Sequence, residues 1–329
     1  MSIGRRNAIT LGAGAIALAA TGGAASPAAA DDRAVTGAVP SNAELARSLA
    51  GGFTSNQAEV NGIRLHYVAG GRGEPLILLP GWPETWWEYR KVMPALAARY
   101  RVIAVDLRGM GGSDKPATGY DKKTMAQDIR GLVRRLGYDK VNIAGHDVGS
   151  MIAFSFAVNH PDAVKKVALL DVTHPDTAYY EFRMLPQPGQ PFFPWWFAFN
   201  QVHGLPEQLV SGRSRFLVDW MFDYLLVNKT AIGDRDRAVY AQAYSYPDAV
   251  RGGNGWYQTF GQDIEDYKTY GKVTAPMLGL AHDAFYGRMS QVLPTQGTDV
   301  RLAQVDDTGH YFVEEQPAAV IRHLTDFFG

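Results

Sequence analysis

The sequence predicts an α/β fold: a mostly parallel sheet flanked by helices and interrupted by a mostly helical insertion. Three observations predict it. From residue 60, short apolar runs alternate with helical patterns, as βαβ units do. One such run, residues 141–144, passes through the glycine-flanked turn Gly145-His146-Asp147-Val148-Gly149 directly into a helical pattern. Residues 173–262 then break the alternation with a stretch rich in Trp, Phe, Tyr, Pro and Gly, after which strand-like runs return.

The elements follow in chain order. Arg5-Arg6 precede a small-residue apolar run at 8–20, and Ala28-Ala29-Ala30 offers a cleavage site before Asp31-Asp32. This segment is expected to be an export signal (1–30) of the twin-arginine type, giving a secreted protein. Residues 31–50 are expected to lead into the folded domain. Residues 63–68 alternate apolar and polar side chains, as a half-exposed edge strand would. Leu76-Ile77-Leu78-Leu79 is continuously apolar, as expected of a strand covered on both faces, and 102–105 and 141–144 read likewise. Met125, Ile129, Leu132 and Leu136 recur at helical spacing, and Gly137 stops that helix. A helix begins near Gly149, and residues 167–170, 277–281 and 300–305 read as further strands. The expected organisation is therefore a core of residues 31–172 and 263–329 with a helical lid at 173–262. In open α/β folds such an insertion lies over the carboxyl edge of the sheet, where ligands bind.

Composition narrows the function. The chain has 329 residues, 46% hydrophobic and 20% charged, which suits a large globular core. A net charge of −1 argues against electrostatic binding of nucleic acid or anionic membrane. There is no cysteine, which excludes disulfides and thiol catalysis, and the eight histidines show no zinc-protease spacing. No metal and no cofactor is expected. No later segment offers the roughly 20 apolar residues a stable membrane insertion needs. The oligomeric state is left open.

The Gly145–Gly149 segment resembles the nucleophile elbow of the α/β-hydrolases, with aspartate where that motif usually holds serine. An aspartate there attacks saturated carbon and forms an alkyl ester, so the substrate needs a leaving group on carbon, such as an epoxide oxygen or a halide. Pro80-Gly81-Trp82-Pro83 follows the apolar run at 76–79, and the chain here is similar to the epoxide hydrolase and dehalogenase branch of that superfamily. The fold class implied is the α/β-hydrolase fold. That branch usually has histidine where this chain has Pro80, which alters the loop's internal bonding but leaves the Trp82 N–H available. The resemblance implies Asp147 as nucleophile and the Trp82 and Val148 N–H groups as an oxyanion hole. Asp307-Thr308-Gly309-His310 implies His310 as the general base. The orienting acid is Asp171, after the run at 167–170, or alternatively Asp283, after the run at 277–281. Asn254-Gly255-Trp256-Tyr257-Gln258 resembles a lid segment bearing a leaving-group tyrosine, here Tyr257, and Trp195 and Trp196 are the companion substrate-binding candidates. Asp106-Leu107-Arg108-Gly109 with Gly112-Ser113-Asp114 reads as scaffold.

The function implied is an epoxide hydrolase acting on a small apolar organic substrate and water. A hydrolytic dehalogenase with the same nucleophile and a Trp/Trp/Tyr halide site is the alternative. A non-catalytic binding protein of the same fold is the third reading.

Overall fold

The computed structural model describes residues 38–189 and 192–329. The expected export signal at 1–30 lies outside the described residues. Part of the expected leader does not behave as one. Residues Asn42–Ser48 form a helix with Leu45 and Ala46 buried. Ser41 caps it and Glu44 returns the bond to the Ser41 N–H, a capping box that satisfies backbone groups at the helix start.

Eight strands form one sheet in the order β1-β2-β4-β3-β5-β6-β7-β8. They are β1 (Thr54–Val60), β2 (Ile63–Gly70), β3 (Glu74–Leu79), β4 (Tyr100–Val105), β5 (Val141–His146), β6 (Val164–Leu170), β7 (Met277–His282) and β8 (Val300–Val305). β2 runs antiparallel to both β1 and β4, and the remaining neighbours are parallel. The strand expected at an edge, β2, is therefore one position inside it. β1 covers its outer side through a tight hairpin whose turn residues Asn61 and Gly62 have φ of 47° and 76°. An Asn-Gly pair suits such a turn because both central residues need positive φ.

The central strands divide their side chains between two apolar layers. Ile77, Leu79, Ile103 and Ile143 pack with Ile129, Leu132, Met151 and Phe154. Leu76, Leu78, Val102 and Ala144 pack on the other face with Trp86, Leu96, Phe312 and Leu324. Period-two alternation places successive residues in opposite layers, and because both layers are covered the strands read as continuously apolar. Burial of one such leucine stabilises by about 1.5–3 kcal/mol.

Between β6 and β7 the chain is helical, with helices Trp195–Gln201, Leu205–Val210, Ser214–Leu225, Asp234–Ala243, Pro247–Gln258 and Phe260–Tyr267. The boundary expected at 262 falls inside the last of these. The change in composition there marks where the aromatics thin out, not where the helix stops. No helix among the described residues is long and apolar enough to cross a membrane.

Candidate active site

Asp147 stands between β5 and the helix Val148–Asn159 with φ 50° and ψ −120°. A non-glycine residue in that region is strained by about 1–3 kcal/mol. The flanking glycines make the turn possible. A Cβ on Gly145 would lie 2.0 Å from the Gly149 carbonyl oxygen, and one on Gly149 would lie 2.1 Å from the Leu79 carbonyl oxygen. The helix start is thereby pressed against the end of β3, which places Asp147 beside the loop that follows β3. The Trp82 N–H donates to Asp147 Oδ1 at 3.2 Å. Val148 is the first helical residue, fully buried, so its N–H is among those that have no acceptor within the helix. The Gly81 N–H of the same loop donates to Glu88 Oε2 at 2.8 Å. A carboxylate thus secures the loop in which Pro80 replaces the usual histidine.

His310 follows β8, and its ring lies between two carboxylates. Nδ1 donates to Asp171 Oδ2 at 2.6 Å, and Nε2 is 3.5 Å from Asp147 Oδ2. Burial alone would lower the imidazole pKa. The hydrogen bonds to Asp147 and Asp171 and the charges of both outweigh it and push His310 up to about 10. Asp147 is held below the usual carboxylate range. Burial opposes this, but His310, through its hydrogen bond and charge, the His146 charge and the Trp82 N–H prevail.

Asp171 directly follows β6, is fully buried and has φ 68°. Asp283, the alternative acid, is exposed and bonds the N–H of Ala284 instead. What stands beside Asp171 at the end of β7 is its neighbour His282. Its Nδ1 donates to Asp171 Oδ1 at 2.7 Å and its backbone N–H donates to the same oxygen at 3.2 Å. Asp171 is driven far below its usual pKa; burial works against this, and His282 followed by His310 overcomes it. Phe285, one turn on, packs its ring 5.3 Å from His282 and 6.5 Å from His310. Sequence spacing does not single out His282; its one local signal is a histidine ending a buried strand. His146, beside the nucleophile, donates from Nε2 to the His310 carbonyl at 2.9 Å and so ties the elbow to the histidine loop.

The insertion supplies one wall. Tyr257 is buried on the helix Pro247–Gln258, with its ring 5.6 Å from Trp82, 5.4 Å from Phe197 and 5.2 Å from Phe260. Burial and then the Asp147 charge raise its pKa well above the ordinary value, so the phenol is a protonated donor. Trp196 is buried among Phe192, Phe197 and Tyr224. Trp195 does not point the same way. It packs on Phe199 and the partly exposed Trp220, as an aromatic brace within the insertion. Helix periodicity explains the split, since adjacent residues face about 100° apart.

Asp106 sits away from this array as a scaffold. Its Oδ1 accepts the Trp86 N–H at 2.9 Å, and its Oδ2 accepts His66 Nδ1 at 2.7 Å and the Gly112 N–H at 2.9 Å. Two groups of metal-ligating types occur among the described residues: His146, Asp171 and His310, and Glu84, Glu88 and His146. In the first, His310 Nδ1 and Asp171 Oδ2 are spent on each other. In the second, burial and then the Glu88 and Glu314 charges raise the Glu84 pKa well above the usual range, which disfavours its charged form.

A carboxylate on a strained elbow faces backbone donors and a carboxylate-backed imidazole at the carboxyl edge of an α/β-hydrolase sheet. The comparisons agree. The model of the α/β hydrolase fold family matches residues 74–201. Over 293 residues the chain is 37% identical to a soluble epoxide hydrolase of Corynebacterium sp., covering 84% of this chain and 97% of that one. It is 29% identical over 291 residues to a fluoroacetate dehalogenase of Burkholderia sp., covering 84% and 94%. The solved structure of epoxide hydrolase CorEH without ligand superposes with a TM-score of 0.72 at 36% identity, covering 84% of this chain and 98% of that one. The chain belongs to the α/β-hydrolase family. Within it, the chain is a hydrolase of the epoxide hydrolase branch.

Proposed function

We propose that this protein opens epoxides to vicinal diols through a covalent ester on Asp147. The observation that carries the reading is the division of labour between the two oxygens of Asp147. Oδ1 is held by the Trp82 N–H, and Oδ2 faces His310, which Asp171 supports. Oδ2 attacks a ring carbon, and Tyr257 gives its proton to the departing oxygen. Oδ1 becomes the ester carbonyl, bonded by the Trp82 and Val148 N–H groups, donors typically worth about 3–4 kcal/mol each as charge develops.

Ester formation removes one of the two carboxylates that keep His310 protonated. Its pKa falls, and it yields its proton, which restores Tyr257. Neutral His310 then takes a proton from water, and the hydroxide adds to the Asp147 carbonyl carbon. The tetrahedral intermediate collapses, and the diol oxygen leaves with the proton of the added hydroxyl. Asp147 is again a carboxylate and His310 an imidazolium. The charge step itself therefore converts His310 from counter-ion to base.

Tyr257 favours oxygen over halide as the leaving group. An alkoxide needs a proton and a protonated phenol can supply one, whereas the Trp195 ring packs on Trp220 within the insertion. We propose that the insertion acts as a lid over a small apolar substrate and water, and that residues 1–30 direct export. Purified enzyme incubated with an epoxide panel and a haloalkane and haloacid panel tests the central reading. Diol formation from epoxides is expected. Halide release without any diol would transfer the protein to the dehalogenase reading. For export, the N-terminus of secreted protein is expected at Asp31; full-length protein retained in the cell would refute it.

A further inference from the structure

Two buried amides beside the reacting centre lack partners. Asn200 and Asn254 are 1% and 2% exposed, and no other protein group bonds Asn200 Nδ2 and Oδ1 or Asn254 Nδ2. Buried amides left unbonded are costly, and native proteins carry few of them without a reason. Both line a cavity of about 10 Å³, the room of one water-sized atom, closed by Trp82, Tyr244 and apolar side chains such as Phe199 and Leu217.

The cavity adjoins the site already described. Trp82 reaches Asp147 with its N–H and packs its ring on Tyr257. Asn254 lies three residues before Tyr257 on one helix, so their Cβ atoms share a face about 5–6 Å apart. The helix bearing Asn200 is tied to the same place, because Gln201 Nε2 donates to the Tyr257 carbonyl at 2.7 Å and Gln258 Nε2 donates to the Asn200 carbonyl at 3.2 Å. No charged side chain lines the cavity, which disfavours an ionic occupant.

We infer that Asn200 and Asn254 form a polar subsite that accepts one neutral oxygen of the substrate, an ether, hydroxyl or carbonyl, at a fixed remove from the epoxide oxygen on Tyr257. This rests on the epoxide reading and names the substrate class within it: oxygenated epoxides, with both amides donating to the remote oxygen.

The test compares terminal epoxides of one chain length in which a single CH₂ is exchanged for an ether oxygen at successive positions. One position is expected to exceed the hydrocarbon in kcat/KM by about 10-fold or more, and Asn254→Leu and Asn200→Leu are each expected to erase that preference while hydrocarbon turnover stays within about twofold. Should leucine unfold either variant, as judged by thermal melting, alanine at the same position carries the comparison. Calorimetric titration of the corresponding diols is expected to show the same positional preference without any turnover. If no epoxide is opened but the diols keep an Asn-dependent preference, the epoxide reading fails and the subsite stands. A flat profile in both assays, or a preference that survives both substitutions, overturns the inference. So does a crystal structure in which a water alone bridges the amides and no oxygenated ligand displaces it.

Discussion

His282→Phe tests how the site holds its acid. Asp171 Oδ1 accepts two hydrogen bonds, 2.7 Å from His282 Nδ1 and 3.2 Å from the His282 N–H. Phenylalanine fills a similar volume next to Phe285 but removes the shorter donor. A hydrogen bond to a charged group contributes about 1.5–3 kcal/mol net. Falling almost wholly on the ester-hydrolysis step, that loss predicts a fall in kcat of about 10- to 100-fold with little loss of stability. The direction of the pH effect follows from the same contact. Asp171 is held far below its usual pKa, chiefly by His282 against the effect of burial. Removing the donor raises the Asp171 pKa, so the acid limb of the kcat profile moves to higher pH. His282→Asn, which keeps a donor near the Nδ1 position, restores much of both. Stopped-flow tryptophan fluorescence separates alkylation from ester hydrolysis, and the loss belongs to the second step. An unchanged hydrolysis rate and an unmoved acid limb in His282→Phe would refute the reasoning and leave His282 as packing.

Three further outcomes follow from particular contacts. Tyr257→Phe removes the proton donor for the departing oxygen and is expected to slow alkylation by about 100- to 1,000-fold while ester hydrolysis is kept, read by single-turnover kinetics. Gly149→Ala drives a Cβ to within 2.1 Å of the Leu79 carbonyl oxygen and is expected to cost about 3 kcal/mol or more, read by urea unfolding; wild-type stability would contradict the elbow geometry. His310 has its pKa raised to about 10 from 6.5, so its contribution to stability is complete below about pH 6.5 and is lost as pH rises towards 10. The stability difference between wild type and His310→Gln should therefore shrink over that window, and a constant difference would contradict it.

What was legible in the sequence is what local pattern encodes. The strands at 76–79 and 102–105, the helix ending at Gly137 and the elbow at Asp147 carry signals within a few residues of themselves. Two further elements carry local signals of their own: the Asn61-Gly62 turn that adds β1, and the Ser41/Glu44 box that starts the first helix. Other features are not local. His282 meets Asp171 because β6 and β7 are neighbours in the sheet, across a sequence separation of 111 residues that contains the whole insertion. Asn200 and Asn254 converge because two helices of the insertion pack together, and no spacing rule links them. The pair Trp195-Trp196 looked equivalent in sequence, yet one helical step turns the first towards Trp220 and the second inward.

The central claim is a covalent ester on Asp147. In His310→Gln the base that hydrolyses the ester is gone while the nucleophile and its backbone donors remain. Mass spectrometry of that variant after exposure to an epoxide turned over by the wild type is expected to show the protein heavier by one substrate, with the added mass on the peptide containing Asp147. An unmodified protein, or an adduct on any other residue, would contradict the account.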